Sequence, residues 1–327
     1  MVLQPIAHVE LNGAGRVHRD RTAGRGGGLR EEGEGHEGER TEWDEEGSHA
    51  YNYGMISYDP KQWFRVLFAF PRSPIFRTLF LDVLLAGAWA AFVVYAEADR
   101  QWFQVELGPA FLSILGIILG LLLVFRTNTA YDRWWEGRKL WGQLVNVSRG
   151  IARQLGVPLA AHEDRRRRYA DLLGEFPSLL AAHLRRPVGA EGSHRPNEAL
   201  TALHREIQED LVAGRFPAEH RVVLGPLLQQ VDDVVGACER IRNTPIPFSY
   251  SSYIKQFVIL YAIMVPFGLV NDYHYGAVVA SMFIFFATMG LELLATEIEE
   301  PFGTDSNDLP LDSIAAVIAR DTSAILR

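Results

Sequence analysis

The sequence predicts an all-α membrane protein with four transmembrane helices and a cytosolic helical domain, on three observations. Four apolar stretches are long enough, alone or with flanking aromatics, to cross a bilayer core of roughly 30 Å. The basic residues at their ends fall on one side, and the long polar segment between the second and third stretches has helical periodicity with no strand-period run. Averages conceal this. The 327 residues, 48% hydrophobic and 22% charged, resemble a soluble protein, and the mean hydropathy is zero because very polar and very apolar segments cancel. One cysteine, Cys238, excludes an internal disulfide framework or a cysteine-based metal cluster within one chain. A net charge of −8 argues against a nucleic-acid partner, which calls for a basic face.

Residues 1–54 read as a disordered N-terminal extension, and residues 55–327 as the folded domain. The first 50 residues hold 10 of the 29 glycines, and Glu31 to Glu46 is dominated by acids. Such a segment buries too little apolar surface to offset its ordering entropy. It lacks the apolar core of a secretory signal, and its acidity is unlike an organelle transit peptide. A plain extension, or a start codon set upstream of Met55, is the expectation, with a regulatory tail as the alternative.

The spans are expected at about 76–97, 107–126, 250–271 and 275–295. Leu107 to Phe125 has 19 uncharged residues, and Leu79 to Ala96 has 18 residues with the single acid Asp82 near its start. Phe257 to Val270 and Gly276 to Leu291, at 14 and 16 residues, are short alone. Tyr250, Tyr253, Tyr261, Tyr273 and Tyr275 extend them to headgroup level. Lys61, Arg65, Arg72, Arg77, Arg126, Arg133, Arg138, Lys139, Arg240, Arg242 and Lys255 lie on one side, against only Arg100 on the other. The positive-inside rule therefore puts both termini and residues 127–249 in the cytosol, at the plasma (inner) membrane.

The cytosolic segment reads as helices. Thr129 to Leu155 repeats its apolar residues at helical steps and continues the second span as one long helix. Glu163 to Arg186 forms a helix bent at Pro177, and Asn197 to Val212 another. Pro217 to Arg242 follows, kinked or divided at Gly225–Pro226, and Pro245 and Pro247 end it. The C-terminal segment, 299–327, carries no assigned helix.

No histidine lies in a span to serve as an axial haem ligand, and no GxSxG, HExxH or phosphate-binding loop is present. The expectation is a non-enzyme without cofactor. The Arg165 to Arg168 run reads as the solvated face of an amphipathic helix. Gly116 and Gly120 form a small-xxx-small pair suited to close helix packing. Ile117, Leu121 and Phe125 recur at i, i+4 and i+8 beside it. From the pattern alone this stripe is either a lipid-facing or core surface, or an apolar constriction that gates a pore by dewetting.

The run FRTNTAYDRWWEGRKLWGQL, Phe125 to Leu144, closely resembles the signature of the bestrophin family, particularly its bacterial members. CERIRNTPIPFSYSSYIKQ (Cys238 to Gln256), VPFGLV (Val265 to Val270) and EEPFGTDSNDLPLDSI (Glu299 to Ile314) continue the resemblance in the expected order. MISYDPKQWFRV, from Met55, resembles a family start. The resemblance implies a homopentameric ion channel in which four membrane helices per subunit surround one axial pore. Its apolar neck would fall on Ile117, Leu121 and Phe125, with Leu121 replacing the Ile or Phe more familiar at the middle ring. The family's second, cytosolic aperture has no secure place here. The implied partners are further copies of the chain, membrane lipid and monovalent ions.

Animal bestrophins close a calcium clasp with acids after the fourth span. Asp305 and Asp308 occupy matching positions, and Glu300 stands where an amide is found. Hard oxygen ligands suit calcium, but Ser306 and Asn307 thin the cluster, so a capping and solvated-turn role is expected instead. Conduction of monovalent anions such as chloride is the leading reading. A monovalent cation channel of the same fold is the alternative, and a non-conducting membrane scaffold the third. Around the cytosolic end of the neck stand Arg126, Arg133, Trp134, Trp135, Glu136 and Arg138, with Arg133 placed to pair with Glu136 at i+3. Arg126, one residue past the neck, is read either as a source of anion attraction or as a plain interfacial anchor.

Overall fold

A computed structural model of the chain describes residues 74–102, 107–187, 189, 192–305 and 307–327. The extension at 1–54 and the motif from Met55 lie outside the described residues. In chain order the helices are α1 (Pro74–Val94), continued by a π-helical turn at Tyr95–Asp99, then α2 (Pro109–Gly156), α3 (Glu163–Leu184) and α4 (Arg195–Val212). They are followed by α5 (His220–Asn243), α6 (Phe248–Tyr273), α7 (Gly276–Glu299) and α8 (Leu311–Leu326). Among the described residues there is no strand.

Four helices are long and apolar enough to span a membrane: α1 with its π turn, the first part of α2, α6 and α7. At about 1.5 Å per residue, the 24 residues of α7 reach about 36 Å, enough for the roughly 30 Å hydrocarbon core. The 48 residues of α2 reach about 72 Å, so this helix must leave the membrane and continue as the spine of the polar domain. Nothing in its sequence stops it, since its one proline, Pro109, sits in the first turn where a missing N–H costs nothing.

Three interior prolines are tolerated. Pro177, Pro226 and Pro266 lie inside α3, α5 and α6, each of which continues through the proline. The expected division of α5 at Gly225–Pro226 does not occur. Leu224 and Leu228 on either side, with Val231 beyond, are all buried. Burying each contributes about 1.5–3 kcal/mol, which together exceeds the roughly 3 kcal/mol cost of an interior proline.

The spine helix carries two cores. In the membrane half, Leu119 and Leu123 of α2 pack with Ile254 and Val258 of α6 and Phe285 of α7. In the polar half, Trp141, Leu144, Ile151 and Leu155 join Leu173 and Leu180 of α3, Leu203 of α4, Val231 and Val234 of α5, and Ile318 of α8. The helix α8 was not expected from sequence. It buries Leu311, Ala315, Ile318, Thr322 and Leu326 at helical spacing and packs against both α3 and α2.

The Arg165–Arg168 run is not a uniformly solvated face. Arg165 Nε lies 2.9 Å from Oδ1 of the fully buried Asp210, and its Nη2 lies 2.6 Å from Glu206. Tyr169 donates its hydroxyl to Asp210 at 2.7 Å, and Arg215 pairs with the same carboxylate. Burial, with the hydrogen bond to Asp210, pushes the Tyr169 hydroxyl well above its ordinary value. Arg168 also reaches Glu206, at 3.0 Å, whereas Arg167 remains on the surface with Glu163 of its own helix. A basic run on one helix thus serves as the seam between α3 and α4, because the facing turn of α4 supplies two acids.

Candidate pore and its supporting cluster

The membrane half of α2 is divided lengthwise. At about 100° per residue, positions 119, 123, 126 and 130 fall within a 60° arc, and Leu119, Leu123, Arg126 and Ala130 are all buried. Positions 117, 121, 125, 128 and 132 fall within an 80° arc on the opposite face. Ile117, Leu121 and Phe125 there are 71%, 53% and 54% exposed. Among the described residues no other helix covers them. Asn128 and Asp132, also exposed, continue the same face beyond the apolar residues.

The two glycines separate in role. A Cβ at position 116 would lie 2.8 Å from the Tyr261 hydroxyl, so Gly116 lets α6 approach α2 within one chain. A Cβ at 120 would meet open space. Of the pair expected to pack helices closely, Gly116 thus meets its partner helix within the chain. The third span uses it, because Tyr261 is too bulky to sit against any side chain there.

Arg126 is not free to attract ions. Its side chain is buried and its Nη2 donates to Glu299 Oε2 at 2.6 Å. Glu299, the last residue of α7, also accepts the backbone N–H of Ile246 on its other oxygen at 2.9 Å. One carboxylate therefore joins α2, the turn between α5 and α6, and the end of α7.

Arg133, two turns further along α2, completes the junction. It donates to the carbonyls of Glu299 (3.0 Å), Thr244 (2.5 Å) and Ile241 (2.7 Å). These are carbonyls at the ends of α7 and α5 that no helical N–H can reach, which a guanidinium suits by both shape and charge. The expected Arg133–Glu136 pair does not form, since Glu136 instead pairs with Arg240 of α5 at 2.7 Å. Trp134 donates its indole N–H to the Asn307 carbonyl at 3.0 Å. Gly137 lets the segment after α7 lie close, as a Cβ there would stand 3.0 Å from Phe302 and 3.2 Å from Leu309.

The calcium candidates do not converge. Among the described residues, Asp305, Asp308 and Glu300 do not form a group close enough to share one ion. Asp305 and Glu300 are exposed, whereas Asp308 is buried and its Oδ2 accepts the Asp305 N–H at 2.7 Å. Burial, reinforced by the negative charges of Asp305, Glu297 and Glu300, pushes the Asp308 carboxyl up to about 6 against the pull of that hydrogen bond. Asp308 thus caps the turn that follows α7. The sequence reading missed Glu299 as the junction acid, and Asn128 and Asp132 as members of the exposed face. Continuing that helix face past Phe125 by steps of three and then four residues would have found the latter two.

Comparisons with known proteins agree with this architecture. The family model described as bacterial/fungal bestrophin protein matches residues 55–324. A protein of Synechocystis sp. named voltage-dependent anion channel-forming protein is 33% identical over 292 residues, covering 83% of this chain and 94% of its own. One of the same description from Ralstonia nicotianae is 35% identical over 291 residues, covering 81% and 92%. A crystal structure of a bacterial bestrophin homologue from Klebsiella pneumoniae superposes with a TM-score of 0.71 at 30% identity, covering 76% of this chain and 98% of that one.

Two predictions follow from the junction. Arg126→Gln leaves Glu299 without its buried counter-charge and is expected to lower stability by about 3–5 kcal/mol, read as a large fall in thermal midpoint of the detergent-solubilised protein; an unchanged midpoint would show the pair to be dispensable. For Asp308, the folded carboxyl holds its proton to higher pH than the unfolded one. Between about pH 4 and pH 6 the folded state therefore binds more protons, and stability is lost as pH rises through that window. Asp308→Asn should flatten that part of the stability–pH curve; an identical slope in the variant would assign it to other groups.

Proposed function

Because the chain belongs to the bacterial and fungal bestrophin family, we propose that this integral membrane protein is a homopentameric channel for monovalent anions such as chloride. Five copies of α2 surround the pore, with Ile117, Leu121 and Phe125 as the rings of its neck. The observation that carries the reading is the lengthwise division of α2: its packed face is satisfied within the chain, while the apolar stripe on the opposite face has no cover among the described residues. Gly120, open in the single chain, suits the approach of a neighbouring subunit. Relatives named for forming anion channels support the anion reading. The basic span ends support a plasma (inner) membrane location with both termini in the cytosol.

An apolar neck selects by the cost of dehydrating an ion, and chloride loses its water more readily than small cations do. Arg126 contributes no field of its own there, being neutralised by Glu299. Monovalent cation conduction is the second reading, and Asp132 favours it. Asp132 is the nearest charged residue to the neck on the exposed face, seven residues or about 10 Å beyond Phe125, comparable with the Debye length at physiological salt. Lys139, on the same face another seven residues on, has the opposite sign and is further away.

Native mass measurement should give five chains; a monomer or dimer as the only species removes the pore, since one chain supplies one neck helix. In bilayers under a salt gradient, the reversal potential should lie toward the chloride equilibrium value. A shift toward the cation value establishes the second reading, in which case Asp132→Asn should reverse part of that shift at low ionic strength. No current from a correctly assembled pentamer would leave the scaffold reading. Replacing Ile117, Leu121 and Phe125 together by Ala should raise conductance or open probability. Folding should survive, because these exposed side chains lose less than the roughly 2–5 kcal/mol of a buried truncation. Wild-type currents in that variant would place the stripe outside the pore.

A further inference from the structure

Three polar heads converge in the cytosolic domain at a place the channel reading does not use. His183, in the last turn of α3, lies with its Nε2 2.8 Å from Glu239 Oε1 of α5. His194, the N-cap of α4, lies with its Nε2 2.6 Å from the same oxygen. The two imidazole centroids are 4.4 Å apart, and the three ligand-type atoms all fall within 4.8 Å of one another. Among the described residues this is the one group of three or more His, Cys, Asp or Glu side chains so disposed. All three are half-buried, on the wall of a cleft of ≈ 380 Å³.

From this geometry we propose a divalent transition-metal site of the zinc class, with His183, His194 and Glu239 as ligands and a fourth position open to the cleft. Two imidazoles and one carboxylate are a ligand set that zinc accepts at about 2.0–2.2 Å, and they suit it better than calcium or magnesium, which prefer all-oxygen shells. A tetrahedral ion with such bonds spaces its ligands by about 3.4 Å. Starting from 2.8 and 2.6 Å, each histidine nitrogen therefore draws away from the Glu239 oxygen by about 0.6–0.8 Å, which the rotation of half-buried side chains permits.

To hold the ion each imidazole offers its Nε2 lone pair, so any proton carried there moves to Nδ1 and the hydrogen bond to Glu239 gives way to a shared metal ion. At His183 the Nδ1 is buried without a hydrogen-bond partner. At His194 the Nδ1 now accepts the Asn197 N–H at 3.2 Å as the helix cap, so loading the metal exchanges that cap for a bond that ties α4 to α3 and α5. Arg186 and Arg242 line the same cleft. Arg242 donates to the carbonyls of Arg186 and Pro187 and is not paired to an acid there. Two guanidinium groups beside a dication favour an anion or a water over a second cation in the fourth position.

The full-length assembled protein, stripped with chelator in detergent, is titrated with zinc and, for spectroscopy, with cobalt. The expected result is one ion per chain and intense tetrahedral ligand-field absorption from cobalt. Glu239→Gln, which keeps the side chain's shape, and His183→Ala should each weaken binding by more than the roughly 10- to 100-fold caused by loss of a supporting hydrogen bond. His204→Ala, an exposed histidine on α4, should change nothing. Zinc should also raise the thermal midpoint of the wild type and leave that of Glu239→Gln where it was, which separates ligand loss from misfolding. Wild-type binding no tighter than that of Glu239→Gln, or cobalt absorption of the weak octahedral kind, overturns the site and leaves a hydrogen-bonded cluster only. None of these measurements depends on ion conduction.

Discussion

The carboxylate of Glu299 carries the junction between membrane and polar domain. It accepts Arg126 on one oxygen and the Ile246 N–H on the other, while its own backbone carbonyl accepts Arg133. Three chain segments, α2, the turn between α5 and α6 and the end of α7, therefore meet beside the buried Arg126, where the ends of α5 and α7 leave carbonyls that no helical N–H reaches. An unpaired charge at such a depth costs several kcal/mol, so Arg126 and Glu299 hold each other in place. The rotation of α2 about its axis is thereby fixed. With Arg126 held inward, Ile117, Leu121 and Phe125 must face the other way.

This constraint explains how one helix serves two environments. Over about 72 Å, α2 packs Leu119 and Leu123 against α6 and α7, then Trp141, Leu144, Ile151 and Leu155 into the polar-domain core. A rigid rod shared by both layers couples them mechanically, so a disturbance of the α3–α5–α8 packing acts on the same helix that presents the exposed apolar stripe. The buried α3–α4 seam, in which Asp210 accepts Tyr169 and pairs with Arg165 and Arg215, stiffens the domain around that rod. The histidine and glutamate cluster lies where α3, α4 and α5 come together, and a metal there would add a further tie to the same packing.

The spans, the one-sided positive charge and the continuation of the second span into a helix of the polar domain were legible in the sequence, because bilayer thickness and helical rise set a length that few other structures satisfy. The i, i+4, i+8 stripe was equally legible as a face, since angular position on a helix follows from residue number alone. What covers a face does not. Gly116 and Gly120 look alike in sequence, yet Tyr261 occupies the space beside one and nothing in the chain occupies the space beside the other.

Tertiary structure alone decided the partners of the charged groups. Arg126 and Glu299 lie 173 residues apart, Arg133 meets carbonyls from two other helices, and Glu136, three residues from Arg133, turns instead to Arg240. Local spacing predicts only neighbours on one helix, whereas burial makes the nearest counter-charge in space decisive, whatever its place in the chain. The same limit hid α8, whose apolar positions mean little until α3 and α2 provide a groove, and it hid His183, His194 and Glu239, which no short motif joins. The sequence by itself determined the four membrane-spanning helices and the period of each face. The folded chain determined which face was left open, because that depends on which distant acid each buried arginine finds.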